Sequence, residues 1–255
     1  MGELKMKSLE EKNLLEIICD DEEQVLKQKL KDLLAIICYG KEEVEIETVT
    51  FEETIEELNK RIERKTENQK AGMIGELLFH LKSYEYLEEY SHISVYLNRE
   101  ERSVKKGFDV LLFDGERVWY SEVKSKENGD NEDITYLHVA KIKEAINDIK
   151  EKFKGENKNY WISAKTNIAN IGEKDLKKQI ADILTKDINP EIEKDAIGVS
   201  AVFKRNAENI EEGKVKEVLD GEKENFNHLA AVCLTHEDYN KIIKILKELG
   251  NGSKF

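Results

Sequence analysis

Hydrophobic and polar positions along this chain follow two rhythms, and each marks a different kind of element. Leu26, Leu30, Leu33, Leu34 and Ile37 recur at helical intervals, so Asp21 to Ile37 is predicted as a helix closed by Gly40. Val44 to Val49 alternates as a short strand, and Phe51 to Arg64 returns to helix through Ile55, Leu58 and Ile62. Met73, Leu77 and Leu81, with Ile74 and Leu78, place a further helix over Glu67 to Tyr86. From Ser91 the pattern turns extended, with Ile93, Val95 and Leu97 alternating. Val139, Ile142, Ile146 and Ile149 then form one stripe of a helix over Tyr136 to Phe153. Asn159 to Ser163 is predicted as a short strand and Lys174 to Leu184 as a helix. Ala196 to Lys204 and His228 to Leu234 are strongly strand-like. Thr235 is a plausible N-cap for a last helix, His236 to Leu249, ending at Gly250. Strands alternating with helices indicate an α/β layer structure.

The most informative stretch is GFDVLLFDGERVWYSEVK, from Gly107 to Lys124. Two apolar runs flank Asp114-Gly115, a dipeptide suited to a two-residue hairpin turn. That loop sets Phe113 opposite Glu116 and Asp109 opposite Tyr120. Asp109, Glu122 and Lys124 then point to one side, with Asp109 diagonal to Glu122 and about 7–8 Å from it at the backbone. A register slip of one residue would send the acids to opposite faces. The apolar content resists it: Phe108, Val110 and Leu112 are assigned to one face, and Leu111, Phe113, Val118 and Tyr120 to the other. A strand apolar on both sides is central to a covered sheet, where a charge is costly unless paired or metal-bound. Two carboxylates reaching one hard cation, with a lysine beside them, suit hydrolysis of a phosphodiester. A surface ladder of ion pairs is the plainer alternative.

Upstream, Glu76 sits on the Glu67 to Tyr86 helix after Gly72 and Gly75. A glycine inside a helix loses about 1 kcal/mol relative to alanine. Two of them fit either a close backbone approach to the sheet or a phosphate, or simply tight helix packing with Glu76 at a solvated edge.

Gly75-Glu76, Gly107-Phe108-Asp109 and Glu122-Val123-Lys124, in that order, resemble the PD-(D/E)XK nuclease superfamily over roughly Glu67 to Lys154. Phe108 stands where the motif name has proline. The resemblance implies a restriction-endonuclease-like fold, a mixed central sheet flanked by helices. It also implies that Asp109, Glu122 and Glu76 hold Mg2+ or Mn2+ and that Lys124 orients the attacking water. The words G-x-x-G-E, K-G-F-D and E-V-K-S are further similar to the HamA nuclease subunit of the Hachiman antiphage system, which implies DNA as substrate and a helicase partner.

Net charge modifies that picture. At −13 over 255 residues, the chain conflicts with a stand-alone nonspecific DNA binder. Either a local basic track, with Lys105, Lys106, Lys126, Lys141 and Lys143 as candidates around Lys124, overrides the field, or a partner supplies DNA affinity. Acidity favours a subunit. Residues 1–66 read as a mainly helical N-terminal extension, a scaffold or a partner-docking arm, and 67–255 as the nuclease-like domain. Glu127 to Asp133, polar and holding Gly129, is either a mobile loop over the site or an ordinary connection, and Pro190 lies in a loop. His138 fits a hydrogen-bonded or exposed histidine better than a catalytic one. Ser121 and Ser125 adjoin the motif and could touch a phosphate, though such serines are mostly structural. Cys19, Cys38 and Cys233 lie far apart in apolar surroundings and read as buried hydrophobes. With no signal region and no membrane-length apolar run, a reducing cytoplasm is expected. Two rivals to a DNA nuclease stay open: a non-catalytic nuclease-like binding subunit, and a resolvase or RNA-directed enzyme with the same metal site.

Overall fold

The computed structural model describes residues 9, 13–46, 48–97, 107–127, 132–155, 159–168, 171–205 and 209–252. Among them, six strands form one mixed sheet, β1 (Leu14–Ile18), β2 (Ser91–His92), β3 (Val110–Phe113), β4 (Val118–Glu127), β5 (Asp195–Phe203) and β6 (His228–His236). Their order across the sheet is β1-β6-β5-β4-β3-β2. β2, β3 and β4 form an antiparallel meander, while β4, β5, β6 and β1 run parallel. Parallel neighbours need crossover connections, here filled by helices α5 (Ile134–Phe153), α6 (Asn159–Asn167), α7 (Lys174–Asp187) and α8 (Glu212–Glu222).

Both faces of the sheet are covered. Along β5 and β6, Ile197, Val199, Ala201, Ala230, Val232 and Leu234 enter one core, while Ala196, Leu229, Ala231 and Cys233 enter the other. The first core is roofed by α1 (Glu23–Tyr39), α3 (Phe51–Glu63), α4 (Glu67–Tyr86) and α9 (Tyr239–Gly252). α5 to α8 roof the second. This is the α/β, restriction-endonuclease-like arrangement of a mixed sheet between helical layers. α2 (Lys41–Glu45) is a short surface turn.

Several helices begin and end as the sequence indicates. Thr50 and Glu53 form a reciprocal capping box at α3, and Gly40 closes α1 at φ 93° with its N–H on the Ile36 carbonyl, 2.8 Å away. Pro190 lies in the turn between α7 and β5. Cys19, Cys38 and Cys233 are buried and unbridged.

Other expectations are corrected. Val44 to Val49 does not form the expected strand: Val44 lies in α2, and Thr48 donates back to the Glu43 carbonyl at 3.1 Å, closing a turn. Leu14–Ile18, not anticipated, pairs with β6 instead. The expected strand from Ser91 stops at His92, because Tyr96 and Leu97 turn away to donate to the Ile37 and Cys38 carbonyls at the end of α1. Asn159–Asn167 is helix, not strand, burying Trp161 and Ala164 three apart on one face. Thr235 is not an N-cap; it is buried in β6, and α9 starts at Tyr239. α9 also runs past Gly250, whose added Cβ would lie 2.7 Å from Asn59 Nδ2: that glycine permits close helix packing rather than ending a helix. Phe108 packs with Tyr120, Phe153 and Trp161, on the opposite face to the one expected.

Candidate active site

The hairpin that carries the site has a longer turn than Asp114-Gly115 alone. Phe113 pairs with Val118, not Glu116, and Asp114 N–H reaches the Arg117 carbonyl at 3.2 Å. The Asp114 side chain enforces this. It accepts from the Glu116 and Arg117 backbone N–H groups at 2.9 and 2.7 Å and from Trp119 Nε1 at 2.9 Å, while Gly115 takes φ 102°. The register is therefore displaced by two residues. An even displacement keeps every side chain on its face. Val110 pairs with Ser121, so continuing the register sets Asp109 level with Glu122 rather than with Tyr120.

Asp109 lies just before β3, with its backbone N–H on the Ser121 carbonyl at 3.0 Å and its carboxylate accepting from the Val123 N–H at 2.9 Å. Glu122 is 2% exposed. Burial, then the negative charge of Asp109, push its carboxyl up to about 8, against the pull of Lys152 and Lys124. Lys124 shares that face. Burial opposes its charge, but the hydrogen bond to Asp148 and the charges of Glu122 and Asp109 outweigh it and hold the amine above its ordinary value. Glu122 and Lys124 thus lie on the α5 side of the sheet, against Lys152 and Asp148 of that helix, and the Asp109 carboxylate rests on the backbone N–H of the residue between them.

α4 covers the other side. A Cβ on Gly75 would sit 2.8 Å from the Ala201 Cβ and 3.2 Å from the Ser125 Cβ, so this glycine serves a close approach of α4 to β4 and β5. Gly72 has open space around it. Glu76 follows Gly75 on this layer. Buried Tyr96, whose hydroxyl donates to the Met73 carbonyl at 2.8 Å, has its pKa raised first by burial and then by both Glu76 and Asp109. Among the described residues, no three His, Cys, Asp or Glu side chains are clustered as a metal-binding group. Asp109 and Glu122 suit a hard divalent cation: two neighbouring carboxylates whose mutual repulsion a cation would relieve. Ser121 and Ser125 alternate onto the α4 side, away from Glu122 and Lys124.

Two site neighbours escaped the sequence reading. Lys152 of α5 pairs with Glu122 and donates to the Gly107 carbonyl at 2.6 Å, and Asp148, one turn earlier, pairs with Lys124. Their signal was a pair of opposite charges four apart, beside the apolar stripe at Ile149. Of the expected nucleic-acid contacts, Lys126 is exposed two residues beyond Lys124, and Lys141 pairs with Glu144 at 2.7 Å on α5. Lys105 and Lys106 lie outside the described residues, as does the centre of the Glu127 to Asp133 loop, including Gly129. His138 is buried and hydrogen-bonded, Nδ1 to Ser200 Oγ at 2.6 Å and Nε2 to Thr235 Oγ1 at 3.0 Å. No described helix is long and apolar enough to cross a membrane.

A family model described as HamA matches residues 6–251, nearly the whole chain. Neither the curated proteins nor the solved structures contain a match. The chain belongs to the HamA family, that of a Hachiman defence component.

Proposed function

From membership of the HamA family, we propose that this protein hydrolyses DNA phosphodiester bonds with Mg2+ or Mn2+, as the nuclease subunit of a complex with a helicase. The observation that carries this reading is a buried carboxylate, Glu122, beside Asp109, with Lys124 two residues along the same strand face. Holding a buried carboxylate beside a second acid is unfavourable without compensating positive charge, which Lys152 supplies in part and a divalent ion would complete. Asp109 and Glu122 would hold the ion; Glu76, the third ligand that the family resemblance implies, is not gathered with them among the described residues. A bound divalent ion supplies charge stabilisation at the phosphate and acidifies a coordinated water. Lys124 would orient the attacking water and offset charge developing on phosphorus. Lys105, Lys106, Lys126 and Lys141 would steer the DNA backbone, and the helicase would supply the affinity that an acidic chain lacks.

The test is Mn2+-dependent cleavage of linear, nicked, single-stranded and branched DNA alongside RNA, with and without the helicase. Glu122→Ala combined with Lys124→Ala should abolish cleavage; undiminished cutting by that double variant refutes the assignment. Preferential cutting of branched DNA or of RNA would redirect the substrate class to a resolvase or an RNA-directed enzyme. A second reading, a non-catalytic binding subunit, draws on the ion pairs that engage both Glu122 and Lys124. Metal-independent DNA binding without cleavage, in the presence of the helicase, would favour it.

A further inference from the structure

Helix α5 runs back along β4 so that its charges meet those of the motif strand one for one. Lys152 lies against Glu122 and Asp148 against Lys124. Four helical residues advance about 6 Å and two strand residues about 6.7 Å, which is why one helical turn matches the E-x-K spacing. The two pairs differ in setting. Lys152 is 14% exposed, held also by the Gly107 carbonyl and lying over the Phe108 and Tyr160 rings. Asp148 is 50% exposed and Lys124 27%, so their pair sits at the open side of the site.

We propose that Asp148 is a built-in stand-in for substrate phosphate at Lys124, a positioning residue whose carboxylate a DNA phosphate must displace before the lysine engages substrate. The inference rests on the nuclease reading above. A carboxylate and a phosphate offer an ammonium the same partner, anionic oxygens accepting charge-assisted hydrogen bonds. A half-exposed ion pair is weak enough to be exchanged, unlike the enclosed pair at Lys152. In a chain of net charge −13, this contact also keeps the one motif cation neutralised until a competing polyanion arrives.

The experiment measures binding of the full chain to a fluorescein-labelled DNA duplex by anisotropy, in EDTA at low salt, so that no metal or cleavage enters. Asp148→Asn should bind about two- to fivefold tighter, in line with the modest strength of a half-exposed pair. Glu151→Gln, which removes one negative charge from the same helix where Glu151 pairs with Lys154 instead of Lys124, should change binding less. In a Lys124→Met background the Asp148→Asn gain should vanish, since a double-mutant cycle isolates an effect that acts through one partner. Equal gains from Asp148→Asn and Glu151→Gln, or a gain that persists without Lys124, overturn the inference while leaving the nuclease assignment intact. A native chain that neither binds the duplex nor cleaves DNA with Mn2+, with Asp148→Asn equally inert, removes the nuclease reading and this inference with it.

Discussion

Two glycines three residues apart on α4 should respond oppositely to the same substitution. Replacing a helical glycine by alanine gains about 0.8–1.0 kcal/mol from backbone entropy and propensity. At Gly72 nothing lies within 4 Å of the added Cβ, so Gly72→Ala should stabilise the fold by about 0.5–1 kcal/mol. At Gly75 the added Cβ would meet the Ala201 Cβ at 2.8 Å and the Ser125 Cβ at 3.2 Å, with the Ser125 hydroxyl closer still. That hydroxyl can rotate away. The Ala201 Cβ cannot, because it is fixed to central strand β5. α4 must then lift from the sheet, an overpacking cost of about 1–3 kcal/mol. The net effect of Gly75→Ala is about 0–2 kcal/mol of destabilisation, and the two variants should differ by about 1–3 kcal/mol. Urea unfolding read at a common m-value measures this directly. Ala201→Gly should recover part of the loss in the Gly75→Ala background and cost stability on its own. If Gly75→Ala proved as stable as Gly72→Ala, the close approach of α4 to β4 and β5 would be wrong, and with it the reason given for Gly75.

Three further outcomes follow from the same contacts. The folded-state value for Glu122, about 8, lies above its ordinary 4.5, so its contribution to stability is fully present below pH 4.5 and lost as pH rises to about 8; thermal midpoints should fall less steeply across that window in Glu122→Gln, and equal slopes would contradict the buried-acid assignment. His138 is lowered by burial from 6.5 to about 4, so its contribution is present above pH 6.5 and lost as pH falls towards 4; His138→Leu should remove that loss while costing about 1–3 kcal/mol for each hydroxyl left unpaired, those of Ser200 and Thr235, as chemical unfolding at pH 5 and 8 can show. Asp114→Ala removes the acceptor for two turn N–H groups and the Trp119 indole and should destabilise by about 2 kcal/mol, with the Trp119 fluorescence reporting the loosened turn; an unchanged unfolding midpoint would mean that the turn is held by other contacts.

Much of the site was legible because period-two alternation fixes faces even when it misplaces partners. The two-residue turn inferred from Asp114-Gly115 was wrong, since the Asp114 side chain captures two further backbone donors. Yet the displacement was even, and Glu122 and Lys124 stayed on one face, against α5, whereas Phe108 crosses to that same face and interrupts the alternation just before Asp109. Helix α5, with its apolar stripe, and α4, buried on all sides from Leu77 to Ser83, were placed within a residue or two, as were the fully buried β5 and β6. Short segments misled: Val44 lies in a helical turn, and beyond Ile93, which still donates to the Leu111 carbonyl, Tyr96 and Leu97 are claimed by the carbonyls ending α1. Asp148 and Lys152 were invisible as site residues because charge on a helix flank reads as solvated surface until the facing strand is known. β1 was missed because five residues bordering a charged turn carry little periodic signal.

That short strand has a consequence for how the molecule comes into being. Leu14 is registered against Ala231, so the sheet is finished by residues far apart in the sequence. Contacts of such long sequence separation form late and slow folding, because so much chain entropy must be surrendered first. During synthesis β1 emerges first and has no partner until β6 has left the ribosome, so nascent chains would expose that unpaired strand to chaperones throughout.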